Sequence, residues 1–223
     1  MYTDVIEKAE LGRHVLGFVD GTFQGFARPI LKEQERNFYS GYYGRSGLKY
    51  QAIVTPDGLV QSLTPPARGT ANDWTIWTNS GVPERLRTVM QGYPPLFLYG
   101  DPAYRNQYGI WAAYTSPTGH YGLTAHQQRF NWLLSRARIT VENAFGKIQN
   151  WFTRNAFAAA IQPGKTHPAS FYHSSCLLSN LLTCFRGRDA ISVRWLCKPP
   201  DVWEYLGVIP PSGVVLNDGT IAP

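Results

Sequence analysis

Three acidic residues stand where their side chains could together bind a divalent metal ion. Asp20 follows the apolar run of RHVLGFVD, Asp101 follows that of PPLFLYGD, and Glu142 lies in a long helical pattern. Hard cations such as Mg²⁺ prefer carboxylate oxygens as ligands. Two acids at neighbouring strand ends repel each other unless a cation joins them. The sequence therefore predicts a metal site formed by Asp20, Asp101 and Glu142.

Each of the three acids also has an interpretation that involves no metal. Asp20 precedes a glycine, and Asp-Gly is a common pair in hairpin turns. Asp101 precedes a proline, and an Asp-Pro pair often begins a turn. Glu142 comes four residues after Arg138, so the two could form an ordinary ion pair on one helix. The metal hypothesis requires all three acids to meet in one place.

Two apolar runs of strand length are predicted to carry the two aspartates. The first covers residues 13–20, and the second ends at Asp101. If these strands are parallel neighbours, both carboxylates emerge at the same edge of the sheet, where open α/β sheets bind ligands. Between them, residues 48–65 predict a hairpin with Pro56-Asp57-Gly58 at its tip, and residues 72–90 predict helical pieces. We expect an aromatic, glycine-containing loop over 102–122.

A long helix over residues 123–152 is predicted to carry Glu142. Its apolar positions step by threes and fours, as in a helix that packs one face on a core. These positions are Leu134, Ala137, Val141, Ala144, Phe145, Ile148 and Phe152. A polar stripe runs beside that face and consists of Asn131, Ser135, Arg138, Glu142, Gly146 and Gln149. The stripe would turn Glu142 toward the two strand ends.

The order of these elements predicts an α/β fold with a mixed sheet flanked by helices. Three antiparallel strands come first, followed by a helix, a further strand that is parallel, and the long helix. A shorter helix is expected over 167–187, and a proline-rich irregular tail from Lys198. We therefore expect one domain over residues 1–190 and a proline-rich C-terminal tail over 191–223.

The charge of the chain favours a polyanionic partner such as DNA. Its formal net charge is +6 and its pI is about 9.3. Between Thr124 and Asn155 the basic residues are Arg129, Arg136, Arg138, Lys147 and Arg154, against the single acid Glu142. We expect Arg136, Arg138 and Lys147 to contact the DNA backbone. A solvated basic face of the helix is the alternative interpretation.

Three blocks of the sequence resemble the three motifs of the Harbinger-type DDE endonucleases, in their fungal form. These blocks are FVDGT, YGDPAY and FNWLLSRARITVENAFG. This resemblance runs from about residue 14 to 155. It implies an RNase H-like fold and a metal-binding triad of Asp20, Asp101 and Glu142. It also implies two divalent ions, Mg²⁺ or Mn²⁺, a DNA substrate, and phosphodiester hydrolysis with strand transfer. A nuclear location would follow from that substrate.

The chain departs from the family pattern in places that bear on DNA recognition. Relatives usually have His-Asp at the position of Asn72-Asp73 in this chain. Relatives also carry a helical DNA-binding region ahead of the catalytic domain, whereas only about a dozen residues precede the first strand here. The alternative function is therefore a non-cleaving relative that binds DNA or a protein, and the chain could also be a fragment. A separate DNA-binding partner protein and an oligomer are compatible with either reading. We expect no membrane segment, because no run approaches the roughly 18 apolar residues of a span.

Overall fold

A mixed β-sheet runs through the centre of the computed structural model, which describes residues 1–12, 14–92, 95–107, 109–116, 122–209 and 214–220. Seven strands form the sheet in these residues. In chain order they are β1 (Val15–Gly25), β2 (Tyr39–Ser40), β3 (Arg45–Val54), β4 (Val60–Leu63), β5 (Ala67–Arg68), β6 (Phe97–Gly100) and β7 (Ile110–Ala112). The order across the sheet is β2-β3-β1-β6-β7, while β4 and β5 also pair with β3.

The long strand β1 is central because it has a partner on each side. It pairs antiparallel with β3, where Phe18 lies opposite Val54. On its other side it pairs parallel with β6, where Phe18 lies opposite Tyr99. The strands predicted to carry Asp20 and Asp101 are therefore parallel neighbours, as predicted. The prediction that the first strand ends at Asp20 is wrong, because β1 continues through Asp20 to Gly25 in its pairing with β3. The mixed sheet with helices around it confirms the predicted α/β class and is consistent with an RNase H-like fold.

The predicted hairpin is confirmed, but three short strands were missed. β3 and β4 pair antiparallel around the turn that contains Pro56-Asp57-Gly58. β2 and β5 have two residues each, and the three-residue β7 lies inside the segment predicted to be a loop. Such short strands offer no alternation pattern, since pairing with neighbouring strands alone defines them. Asp101 consequently follows the sixth strand of the chain rather than the fourth.

Helices cover the sheet on both sides. They are α1 (Tyr2–Lys8), α2 (Lys32–Phe38), α3 (Asp73–Asn79), α4 (Val82–Val89), α5 (Ala125–Trp151), α6 (Pro168–Arg186), α7 (Ala190–Trp195) and α8 (Val202–Leu206). The predicted long helix is α5, which begins with a capping box between Thr124 and Gln127. The predicted shorter helix is α6, which ends at Gly187 in a left-handed conformation. No helix of the described ranges is long and apolar enough to cross a membrane.

The core has two layers because successive residues of β1 point to opposite faces of the sheet. On one face, Phe18 packs in a cluster with residues of α5, α6 and α7, including Val141 and Trp195. On the other face, Val19 packs with Trp77 of α3 and with residues of β6 and β7. The apolar stripe of α5 faces the first cluster, as its periodicity predicts. This packing fixes α5 against the sheet and sets the position of its polar stripe.

The C-terminal segment is more ordered than its proline content predicts. Trp195 of α7 stacks on Phe18 with ring centroids 5.3 Å apart, so α7 is part of the core. Asp201 caps α8 by accepting hydrogen bonds from the backbone N–H groups of Trp203 and Glu204. The expectation of an irregular tail from Lys198 is therefore wrong for α8. The proline content of the segment indicates irregular structure, but an Asp cap can start a short helix just after a proline pair.

Candidate metal centre

Asp20 lies inside β1, where it faces the α5 side of the sheet. Its backbone pairs with Ala52 and that of Gly21 with Gln51, so neither residue forms a hairpin turn. The turn interpretation of Asp20 is therefore wrong. Its Oδ1 accepts a hydrogen bond from the backbone N–H of Gly21 at 2.8 Å. Only 14% of the side chain is exposed, so the carboxylate depends on the protein for its partners.

Asp101 follows β6 directly and begins a turn while its other oxygen faces the site. Its Oδ1 accepts a hydrogen bond from the backbone N–H of Ala103 at 2.9 Å, and its carbonyl accepts one from the N–H of Tyr104 at 3.1 Å. Its Oδ2 remains available to a cation. Asp101 therefore begins a turn, as one interpretation of the sequence proposed, and it also lies beside Asp20. The two are neighbours because Phe18 of β1 lies opposite Tyr99 of β6, and two more residues along each chain lead to Asp20 and Asp101.

Glu142 reaches the same place from α5. Its Oε1 lies 3.0 Å from Nη2 of Arg138, one helical turn earlier, so the ion pair expected from the spacing is present. About half of the Glu142 side chain is exposed, 51%. Glu142 is therefore the most solvent-accessible of the three acids, and Asp20 is the least.

The guanidinium of Arg138 lies between the three carboxylates and contacts all of them. Its Nη1 is 3.3 Å from Oδ2 of Asp20 and 3.6 Å from Oδ2 of Asp101, while its Nη2 contacts Glu142. The structure thus brings the three predicted acids together around one cation. In the described part of the chain, no group of three or more His, Cys, Asp or Glu side chains is placed so that it could hold a metal ion.

The electrostatics of the site show the strain of burying acids together. Burial is the largest effect on Asp20 and raises its pKa to about 6. The Arg138 charge and the Gly21 N–H lower this pKa, while the charges of Asp101 and Glu142 raise it further. Asp20 therefore carries its negative charge at a cost, which the nearby charge of Arg138 and the hydrogen bond from Gly21 reduce.

The chemical type of these donors is the one that a hard divalent ion prefers, because all three side chains offer carboxylate oxygens. They come from three separate elements and surround a positive group. The sequence predicts a metal ion between them, and the group that the structure shows there is the guanidinium of Arg138. The guanidinium occupies the space between these acids, so an ion that used the same oxygens would have to replace it.

Asp73 is a fourth acid near the site that the sequence analysis did not select. A side chain on Gly21 would bring its Cβ within 2.8 Å of Oδ1 of Asp73, so the glycine is what lets this carboxylate approach β1. Burial raises the pKa of Asp73, Lys49 lowers it, and the charge of Asp101 raises it. Two signals in the sequence pointed to it: its place after Asn72, the residue that caps α3, and the alignment of Asn72-Asp73 with the His-Asp pair of the family it resembles.

A cavity of about 370 Å³ opens beside Asp101 and Arg138. Its walls include the apolar side chains of Leu123 and Leu134, and Asn131 lies at its edge. The Asn131 side chain is held by both backbone groups of Tyr114, at 2.8 Å and 2.9 Å. The cavity is large enough for part of a substrate to lie against the carboxylates.

The three basic residues predicted to contact DNA have different positions. Arg138 is engaged by the carboxylates, whereas Arg136 is exposed and stacks on the Trp132 ring at 4.6 Å. The Lys147 side chain is only 9% exposed, and its Nζ lies 2.6 Å from Oδ2 of Asp189. The assignment of Lys147 to DNA is therefore corrected, because its ammonium is already satisfied inside the fold. A spacing pattern on a helix does not show which basic residue meets a buried acid.

Comparisons with known proteins agree with this architecture. A family model described as DDE superfamily endonuclease matches residues 19–180, which is more than half of the 223 residues. The match covers β1 from residue 19 onward, the turn after β6 and the whole of α5, and so includes all three acids. No curated protein and no solved structure matches the chain.

Proposed function

Because this chain belongs to the DDE superfamily endonucleases, we propose that it is a divalent-metal-dependent nuclease that hydrolyses DNA phosphodiester bonds and transfers strands. The observation that carries the proposal is the meeting of Asp20, Asp101 and Glu142 around a single cationic group. Three acids from separate elements would repel each other in a protein that had no use for a cation there. We also propose that the chain belongs to the Harbinger branch, in its fungal form, and the resemblance of its three motifs supports this proposal.

Asp20, Asp101 and Glu142 are the proposed metal ligands. Asp20, which lies deepest, would be shared by two ions, while Asp101 and Glu142 would each hold one. When bound, Mg²⁺ or Mn²⁺ would activate a water or a 3′-hydroxyl and stabilise the charge on the phosphate oxygens. The burial of Asp20 and Asp101 keeps competing water away from these oxygens, which strengthens their hold on a cation.

The remaining groups of the site would position DNA. Arg136 is exposed on the same helix as Glu142 and is the candidate for a phosphate contact. The cavity beside Asp101 would receive the part of the substrate next to the scissile phosphate. Such contacts give affinity without reading sequence, so target choice would come from a separate DNA-binding partner or from further copies of the chain. A nuclear location belongs to the same proposal.

A plasmid-nicking assay tests the proposal. Supercoiled plasmid is incubated with the protein and Mg²⁺ or Mn²⁺, and open-circle DNA is quantified for the wild type and for Asp20→Asn. The matched control is Asp4→Asn, since that carboxylate pairs with the amino terminus of the chain. We expect metal-dependent nicking by the wild type and the control, and a loss of at least about 100-fold for Asp20→Asn. Equal nicking by all three proteins would refute the assigned site.

One observation favours a second candidate, a relative that binds DNA without cutting it. Arg138 contacts all three acids, so a cationic group of the protein itself lies where a catalytic ion would bind. If the wild type binds plasmid but leaves it supercoiled in both metals, this second function replaces the first.

A further inference from the structure

Arg138 is the cation of the site in the described part of the chain. Every ion pair that the structure shows there for Asp20, Asp101 or Glu142 is made by this one side chain. The side chain is 30% exposed, so its guanidinium is partly withdrawn from water. A planar guanidinium has several donors in a fixed fork, and it can therefore serve three acceptors at once. An arginine is always charged, which makes it a permanent counter-ion.

A divalent ion and this guanidinium would compete for the same atoms. Arg138 uses Oδ2 of Asp20, Oδ2 of Asp101 and Oε1 of Glu142. A hard cation would need carboxylate oxygens of these residues at about 2.0–2.6 Å. Its positive charge would also repel the guanidinium at short range. The two cations therefore exclude each other at the centre of the cluster.

The position of Arg138 suggests where it goes when a metal enters. Its side chain also lines the cavity of about 370 Å³, together with Asp101, so the guanidinium borders an open space next to the cluster. A DNA phosphate placed there would offer the guanidinium a new anionic partner with matching geometry. The guanidinium would then stabilise the substrate instead of the empty cluster.

Resting on the proposed metal site, we infer that Arg138 is a positioning residue that keeps the three carboxylates assembled until a divalent ion displaces its guanidinium toward the DNA phosphate. The inference assigns one side chain two successive partners. In the metal-free protein it offsets the repulsion between the acids. In the metal-bound protein it is released, so metal binding includes the free energy needed to break its three contacts.

Titration calorimetry with Mn²⁺ and no DNA tests this competition. Arg138→Gln removes the competing charge, and Arg129→Gln is the matched control, because it makes the same change elsewhere on α5. Arg129 pairs with Glu10, and none of the ion pairs to the three acids involves it. We expect Arg138→Gln to bind Mn²⁺ with a Kd about three- to tenfold lower than the wild type, and Arg129→Gln to match the wild type.

Thermal melts of the same proteins give a second measurement. Without metal, Arg138→Gln should melt at a lower temperature than the wild type, because the acids then repel each other unopposed. Saturating Mn²⁺ should raise the melting temperature of Arg138→Gln by more degrees than it raises the melting temperature of the wild type. A side chain with a merely structural role would lower the melting temperature and leave the Kd unchanged. If Arg138→Gln does not fold, Arg138→Lys should still bind Mn²⁺ more tightly than the wild type, since one ammonium cannot serve all three acids.

The outcomes separate this inference from the function on which it rests. If the Kd of Arg138→Gln for Mn²⁺ equals or exceeds that of the wild type, the displacement is overturned. The metal site is still supported in that case if the wild type binds Mn²⁺ more tightly than Asp20→Asn does. If the wild type binds Mn²⁺ no better than Asp20→Asn, both the metal site and the inference fail.

Discussion

Asp20 is the residue whose environment says most about the site. Its carboxylate is almost buried on the central strand, and burial raises its pKa to about 6 in spite of Arg138. The native protein therefore holds this proton at pH values where the unfolded chain has lost it. The free energy of unfolding falls as pH rises between about 4 and 6, because the unfolded state binds fewer protons there. Without metal, ionised Asp20 destabilises the fold.

This linkage predicts how Asp20→Asn behaves in the metal-free protein. The variant lacks the titrating group, so its stability relative to the wild type should increase from about pH 4 to about pH 7. The increase is about 3 kcal/mol at most, from the shift of the pKa. Urea denaturation in EDTA at both pH values measures it, with Glu84→Gln, an exposed change on α4, as the control. A constant difference between Asp20→Asn and the wild type would contradict the electrostatic account.

At the scale of elements, α5 serves the site and the fold from different positions. It presents Arg138 and Glu142 to the strands, and Lys147 to a buried ion pair with Asp189. Asp189 also caps α7 and packs against Gly58, where any side chain would collide with its carboxylate. The pair therefore joins α5, the β3–β4 turn and the start of α7. Breaking a buried ion pair leaves an uncompensated charge, which is strongly destabilising.

Asp189→Asn is predicted to destabilise the protein by about 3–5 kcal/mol, because it keeps a good helix cap but leaves Lys147 without its counter-charge. Asp201→Asn is the matched control, since Asp201 caps α8 without a buried partner of this kind. That control should cost less than about 1 kcal/mol. Urea denaturation midpoints with unchanged slopes measure both values. Similar losses for the two variants would show that Lys147 and Asp189 contribute only through the cap.

The elements also show what local sequence can predict. The periodicity of α5, the Pro56-Asp57-Gly58 turn and the two apolar runs were sufficient for the main strands and helices. β7 and α8 were missed because they are short and depend on neighbours rather than on a pattern of their own. The three acids could be selected by their positions after strands and on a polar stripe. Arg138 at their centre and Lys147 inside the fold depend on tertiary contacts that no local spacing specifies.

At the scale of the whole molecule, the fold joins distant parts of the chain at one edge of the sheet. Residues 20, 101 and 142 are brought together by the parallel pairing of β1 with β6 and by the packing of α5 on β1. The family match covers all of these elements. The net charge of +6 would add a general attraction for the proposed DNA substrate, which the acidic cluster would oppose locally unless cations neutralise it. A metal at the proposed site would reduce that local repulsion.

The central claim is that Asp20, Asp101 and Glu142 form one divalent-cation site, and crystals grown with Mn²⁺ test it most directly. An anomalous difference map at the manganese edge should show a peak within coordination distance of Asp20 and Asp101, with Glu142 at its side. The guanidinium of Arg138 should no longer lie between the acids. A map with no peak at these residues, and with Arg138 still in contact with all three carboxylates, would contradict the account.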